Sequence, residues 1–335
     1  MGEVKVLSEK NIKELINFDL VVKAVESAYK QKSNMNAEVW PLVFYEYEHN
    51  VFDLDIRSGN LKESNVYGLK LISYNENNPQ INLAKVNATA LICDDKTGKP
   101  LAIINAEPIT SYRTGVAAAI GAKYMAKKDS KNVLVVGCGN IAKYSIAACL
   151  HLIPTIENIY VYNARRNIDF EELSRFEAEV NHLLNSESRP VSYFTVQDIK
   201  SVTQNSDIII TATPSEKAMI DSSWVKNGTH FSCMGAGMRG KQEIDENLFT
   251  NSRIFADDEK QCLECGEAQT AYNKGIISKF DGEIGDVILG KIAGRLSDED
   301  ITIFDSTGLF IQDLATSIEL IKESNTQNIG TIIDL

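Results

Sequence analysis

The chain has 335 residues, 44% of them hydrophobic and 24% charged. That is an ordinary globular balance, long enough for two domains and for a core needing no disulfide or metal staple; it excludes a disordered, collagen-like or disulfide-scaffold protein. The 34 Lys and Arg against 46 Asp and Glu give a net charge of −12, a field that repels phosphate and argues against nucleic acid or an anionic membrane as partner.

No stretch reaches the roughly 18 apolar residues of a membrane span. Residues 1–6 carry no basic run ahead of an apolar core, so the expectation is a cytoplasmic protein. Helical spacing runs over 9–31, through Ile12, Leu15 and Ile16, then Val21, Val22, Val25 and Tyr29, with Asp19 as a candidate cap for a second helix. Residues 39–58 alternate and are rich in aromatics, which predicts antiparallel strands turning near His49-Asn50. Strands over 66–74 and 86–93, a turn over 94–100 and a strand over 101–105 make 38–106 a β-rich region. Asp53 and Asp55 read as surface carboxylates. An Ala-rich helix is predicted over 110–127. The fully apolar run Val133-Leu134-Val135-Val136 then fits a buried parallel strand. Strand and helix patterns alternate onward, with strands at 159–162, 192–195, 208–211, 229–233 and 253–256. This βαβ rhythm predicts a doubly wound α/β sheet. A last helix is expected over 313–324.

The apolar strand ends in Gly137-Cys138-Gly139-Asn140-Ile141-Ala142, a G-x-G-x-x-A turn leading into a helix. Gly137 permits the tight turn, Gly139 lets backbone approach a pyrophosphate, and Ala142 allows close packing of helix on strand. The pattern predicts dinucleotide binding; a tight turn without a ligand is the bland alternative. The second strand ends in Asn163-Ala164-Arg165-Arg166. An NAD site usually places a carboxylate there for the ribose 2′-OH. Neutral Asn163, with Arg165 or Arg166 able to meet a 2′-phosphate, favours NADP(H), with NAD(H) as the alternative; a solvated basic loop is the other reading of the arginines.

Six cysteines, at 93, 138, 149, 233, 262 and 265, are dispersed. Cys138 and Cys149 read as reduced core residues. Cys262-Leu263-Glu264-Cys265 is a C-x-x-C with no second pair, and His49, His151, His182 and His230 lack ligand spacing, so no metal is expected.

Further along the chain come Gly68-Leu69-Lys70, a Thr-Gly-Lys-Pro turn at 97–100, Thr110-Ser111-Tyr112-Arg113-Thr114-Gly115, Thr211-Ala212-Thr213-Pro214-Ser215, Gly240-Lys241-Gln242-Glu243, Gly285-Asp286-Val287 with Gly290, and Phe304-Asp305-Ser306-Thr307-Gly308. In this order, with the glycine turn at 137–142 and Trp224 to His230, the chain resembles the ornithine cyclodeaminase/mu-crystallin family over almost its whole length, most of all its archaeal-type alanine dehydrogenases. The end, Asn328-Ile329-Gly330-Thr331, is similar to relatives that make a siderophore precursor. The resemblance implies a Rossmann domain over 113–311, inserted into an α/β substrate-binding and dimerisation domain made of 1–112 and 312–335. It implies a homodimer, a nicotinamide cofactor and a small amino or imino acid substrate held in the cleft. Carried over by position, Lys70 and Arg113 would hold the substrate carboxylate near the nicotinamide, with Thr307 also at the substrate; beside a cation and a cofactor the Lys70 pKa would fall, fitting it to move the proton at nitrogen in catalysis. Arg113, Thr114, Gly137, Gly139, Asn140, Ile141, Asn163, Arg165, Thr211, Met234, Lys241 and Ser306 would line the cofactor.

Two departures stand out. A family Pro-x-Arg is replaced by Pro41-Leu42-Val43, leaving Arg57 as the candidate substitute in the clamp. The family triplet Gly-Ala-Asp is here Gly235-Ala236-Gly237, which removes a carboxylate that assists chemistry at the amino group. The expected activity is therefore NAD(P)-dependent hydride transfer at the α-carbon C–N bond of an amino or imino acid. An ornithine cyclodeaminase-type lyase and a dinucleotide-binding protein without turnover are the alternatives.

Overall fold

The computed structural model describes residues 2–49, 51–185 and 189–335. The chain divides into two compact units, Met1–Arg113 with Leu309–Leu335, and Thr114–Gly308.

In the first unit a mixed eight-stranded sheet runs in the order Thr331–Asp334, Glu3–Leu7, Pro100–Asn105, Val86–Asp94, Val66–Asn75, Phe52–Leu61, Ala37–Val39, with Val43–Glu48 also paired to Phe52–Leu61. Glu3–Leu7 and Pro100–Asn105 are parallel; the other pairings are antiparallel. The two N-terminal helices are Glu9–Leu15, capped by Ser8, and Phe18–Ser33. The second is capped by Asn17, whose side chain accepts from Leu20 N. Asp19, expected as the cap, lies inside the first turn instead, where its charge favours the helix dipole. Residue 50 of the expected His49-Asn50 turn lies outside the described residues.

Strand alternation gives this sheet two unlike faces. Register pairs Val43 with Ile56, Ile56 with Leu71, and Tyr45 with Leu54. On this side Val43, Tyr45, Leu69 and Leu71 are exposed. On the other side Leu61 and Val66 are buried with Phe310, Ile311 and Leu314 of the helix Phe310–Thr326. Arg57 and Lys70 are opposite each other in the register, so both belong to this inner side.

The second unit is built on an all-parallel eight-stranded sheet, ordered Ser192–Thr195, Asn158–Tyr162, Asn132–Val136, Ile208–Thr211, His230–Cys233, Ile301–Asp305, Ser252–Ala256, Gly282–Glu283. Val133 to Val136 and Ile208 to Thr211 are fully buried, as expected for strands covered on both faces. The strand order reverses between Asn132–Val136 and Ile208–Thr211, so a crevice opens at their carboxyl ends, the ligand position of doubly wound sheets. The sequence reading does not mark the Ile301–Asp305 strand, the short edge strand Gly282–Glu283, or a short parallel pair, Glu216–Ile220 with Gln242–Ile244. The helix Glu107–Met125 begins three residues earlier than expected, so Arg113 lies in its second turn rather than at its opening. Lys70 sits mid-strand in Val66–Asn75. Among the described residues no helix is long and apolar enough to cross a membrane.

His230 is an internal strut of this second sheet. Its ring is fully buried, with Nδ1 2.9 Å from Thr302 Oγ1 and Nε2 3.0 Å from Ser232 Oγ. Burial, aided by Arg295, pushes its pKa down to about 3. The unfolded chain, with an ordinary histidine, binds the extra proton between about pH 3 and 6.5, so the stability from neutral His230 is present above that window and lost as pH falls through it. Urea unfolding at pH 7 and pH 5 should show a loss with a slope of up to about 1.4 kcal/mol per pH unit from this group, and His230→Gln should flatten it. An unchanged slope in the variant would contradict the assignment.

Candidate active site

The candidate site residues fall into two groups, one in each unit. In the first unit, Lys70 is fully buried. Its Nζ donates to Asp313 Oδ1 at 2.8 Å and to Thr110 Oγ1 at 3.1 Å. Arg113 Nε lies 3.3 Å from Asp313 Oδ2, and Arg113 Nη1 donates to Gln312 Oε1 at 3.2 Å. Gln312 in turn accepts from Leu309 N at 3.0 Å and donates to Tyr29 Oη. Arg57 Nε lies 3.3 Å from both oxygens of Asp55, and both side chains are mostly buried, at 15% and 17% exposure. Asp55, expected on the surface, is therefore drawn inward by its arginine.

The electrostatics of this cluster follow from burial. Desolvation pushes the Lys70 ammonium down; Asp313 offsets part of that and the Arg113 and Arg57 charges add to it, leaving a pKa of about 8. Burial alone would raise the Asp313 carboxyl, but Lys70 and Arg113 outweigh it and hold Asp313 below the usual range. Lys70 is thus an amine poised to change protonation near neutral pH, the requirement for acid–base work. Three cations against two carboxylates leave the cluster one positive charge in excess, suited to one carboxylate of a ligand.

In the second unit, Gly137 follows the Asn132–Val136 strand with φ +117°, a left-handed conformation, and a Cβ there would meet Ala212 O at 2.6 Å. Gly139 caps the helix Asn140–Leu152 without any side chain accepting from its first turn. The positive dipole end of that 13-residue helix faces the turn, which fits a diphosphate. Gly139 and Asn140 are exposed, Ile141 is half-buried, and Ala142 is fully buried against the sheet. Asn163 Nδ2 donates to Cys138 Sγ at 3.3 Å, and Asn163 Oδ1 accepts from Arg165 N at 3.0 Å. Cys138 is thus half-buried at the turn rather than a core residue, whereas Cys149 is fully buried. Arg165 is exposed and Arg166 pairs with Glu172. A cavity of about 240 Å³ beside Cys138 is lined by Lys143, Arg166, Arg175, Glu172 and Glu179.

Thr114 and Thr211 are buried, and Met234 and Lys241 are half-buried. Ser306 and Thr307 are buried, with their hydroxyls donating to Asp257 at 2.8 and 3.2 Å. Gly137, Thr211, Met234 and Ser306 all lie at the carboxyl ends of neighbouring parallel strands. Gly237 has room: a Cβ there would meet only Thr307 O, at 3.6 Å. The missing carboxylate is therefore a chemical choice and not a steric one. Cys262 is buried and Cys265 half-buried; among the described residues no group of His, Cys, Asp and Glu is arranged to hold a metal.

Sequence reasoning missed Asp313, Thr110 and Gln312. A signal for Asp313 was present: it falls on the buried stripe of its helix, between Phe310 and Leu314, where an isolated charge demands a partner.

Comparison with known proteins agrees over the full length. The family model described as "Ornithine cyclodeaminase/mu-crystallin family" matches residues 3–328. Alanine dehydrogenase of Archaeoglobus fulgidus is 34% identical over 333 residues, 99% of this chain and 98% of its own. Among solved structures, an archaeal alanine dehydrogenase dimer with bound NAD is similar with a TM-score of 0.89 at 32% identity, covering 100% of both chains. The Δ1-pyrroline-2-carboxylate reductase of Thermococcus litoralis, solved with NADH and L-proline, gives a TM-score of 0.88 at 27% identity over 98% of this chain and 100% of its own. The chain belongs to the ornithine cyclodeaminase/mu-crystallin family.

Proposed function

We propose that this enzyme, an NAD(P)-dependent oxidoreductase acting at the α-carbon C–N bond of an amino or imino acid, uses the Lys70 cluster for its substrate and the Gly137 turn for its cofactor. The observation that carries the reading is a fully buried lysine with a pKa near 8, held by Asp313 beside Arg113 and Arg57. Arg113 and Arg57 bind and orient the α-carboxylate. Lys70 gives a proton to the substrate nitrogen as an imine is reduced, or accepts one in the reverse direction; Asp313 and Thr110 fix its Nζ. Thr307 is a further substrate-binding residue. When bound, the dinucleotide supplies or takes up the hydride, and the protein supplies position and charge. Thr114, Gly137, Gly139, Asn140, Ile141, Thr211, Met234, Lys241 and Ser306 hold it.

The preferred cofactor is NADPH. Asn163 offers no carboxylate to repel a 2′-phosphate, and Arg165 is exposed at the strand end. The enzyme works as a homodimer built on the exposed apolar sheet face of Val43, Tyr45, Leu69 and Leu71, a face of the kind that monomers rarely present to water. Cyclodeamination is not its reaction, because Gly237 offers no carboxylate to the amino group.

The test is turnover of reduced dinucleotide with 2-oxo acids in the presence of ammonia or primary amines. Lys70→Ala should lower kcat by roughly 10²- to 10⁴-fold while leaving dinucleotide affinity unchanged, and Arg57→Ala should raise the substrate KM. NADPH should bind about ten- to a hundredfold more tightly than NADH, a gap that Arg165→Ala narrows. Unchanged kcat in Lys70→Ala would refute the proton role; tighter binding of NADH would refute the cofactor preference.

A further inference from the structure

The second unit contains four buried carboxylates that no step above uses: Asp257, Glu243, Glu267 and Asp305, each at most 1% exposed. They bond chiefly to backbone. Glu243 Oε1 accepts from Thr213 N at 2.7 Å and Thr213 Oγ1 at 2.8 Å, while its Oε2 accepts from Gly235 N at 3.0 Å. Glu267 Oε1 accepts from Glu243 N and Ile244 N, both at 2.7 Å. Asp305 accepts from Glu267 N at 3.0 Å and Ala268 N at 2.9 Å. Asp257 accepts from Ser306 Oγ and Gly308 N, both at 2.8 Å.

These carboxylates tie together the loops at the carboxyl ends of the parallel strands. Thr213 is two residues beyond Thr211, Gly235 follows Met234, Lys241 is two residues before Glu243, and Ser306 follows Asp305. Glu243 is the central bridge. It alone among the four joins the loop after Ile208–Thr211 to the loop after His230–Cys233, on the side of the sheet where its order reverses. Gly235 is required for that bridge: a Cβ on it would meet Glu243 Oε2 at 2.4 Å.

We propose that Glu243 is a positioning residue for the dinucleotide, its ionised carboxylate setting the separation of the two loops that carry Thr211 and Met234. This inference rests on the dinucleotide site described above. Only the carboxylate form accepts from Thr213 N, Thr213 Oγ1 and Gly235 N together. A protonated Glu243, or a glutamine, sets a hydrogen against one of these donors and weakens the bridge. Burial raises the Glu243 carboxyl to about 6, opposed first by the Thr211 hydroxyl and then by the donors of Thr213 and Gly235. The titratable groups facing it are Glu267, raised well above its ordinary value chiefly by burial and then by Glu243, and the buried Cys233 and Asp305, with Lys241 two residues away. Two carboxylates in one dry cluster cannot both ionise cheaply. Glu267 is the one that keeps its proton, since its Oε2 has no hydrogen-bond partner among the described residues.

The experiment is calorimetric binding of NAD+, which is stable in acid and has no 2′-phosphate to titrate, to the full-length protein from pH 8 to pH 5. Wild-type protein should lose affinity as pH falls through about 6. Glu243→Gln should bind at least tenfold more weakly at pH 8, with little pH dependence, so that the two proteins converge at pH 5. Thr213→Val removes one donor to the carboxylate and should move the wild-type midpoint to higher pH. A Glu243→Gln protein with wild-type affinity, or one retaining the wild-type pH profile, would overturn the proposal. If Glu243→Gln does not fold, an unmoved midpoint in Thr213→Val overturns it instead. Wild-type protein that binds no NAD+ at pH 8, and no NADPH either, would refute the underlying dinucleotide site and the proposal with it.

Discussion

The buried ion pair between Lys70 and Asp313 is the interaction on which the first unit is organised. The two residues are 243 positions apart, and their contact joins the Val66–Asn75 strand to the helix Phe310–Thr326. Taking both charges out of water costs several kcal/mol per ion, and an apolar pair of similar volume is often as stable or more so. A chain of this length has core enough without it. The pair is thus better explained by function than by stability. Asp313 keeps a cation in a dry place, beside the further positive charges of Arg57 and Arg113.

The second unit solves the converse problem. A dinucleotide is anionic, yet the loops at the carboxyl ends of the parallel strands are fixed by buried carboxylates rather than by cations. The reason lies in the donors available. Strand ends and helix starts expose backbone N–H groups that need acceptors. Glu243, Glu267, Asp305 and Asp257 satisfy inner ones, while the helix Asn140–Leu152 starts at Gly139 with no side-chain cap. Burial weakens the acidity of Glu243 and Asp305, the latter raised to about 8, so the cluster adds less negative charge beside the ligand than its four carboxylates suggest.

Much of this was legible in the sequence where a local rule applied. Val133 to Val136 followed by Gly137-x-Gly139 announced a strand, a tight turn and a helix, because each step depends on residues a few positions apart. The doubly wound class followed from the alternation of apolar runs with helical spacing. What stayed hidden was set by distant partners. Ile301–Asp305 becomes a central strand through pairing on both edges, which its five residues do not advertise. Asp313 gains meaning only beside Lys70, and Asp55 only beside Arg57. Asp19 was a plausible cap, but Asn17 stands at the residue where the backbone is still extended and can fold its side chain onto Leu20 N. Cys138 looked apolar by its neighbours in sequence, yet the turn it occupies opens it to Asn163.

The central claim is that hydride moves between the nicotinamide and the α-carbon of an amino or imino acid, with no net loss of ammonia by cyclisation. Reduced dinucleotide carrying two deuteriums at nicotinamide C4 should be supplied with a 2-oxo acid and an amine, and the product examined by mass spectrometry and proton resonance. The account predicts one deuterium at the α-carbon of the amino acid product, with one dinucleotide oxidised per molecule formed. A product free of deuterium, or ammonia released from ornithine with no net oxidation of the dinucleotide, would contradict it.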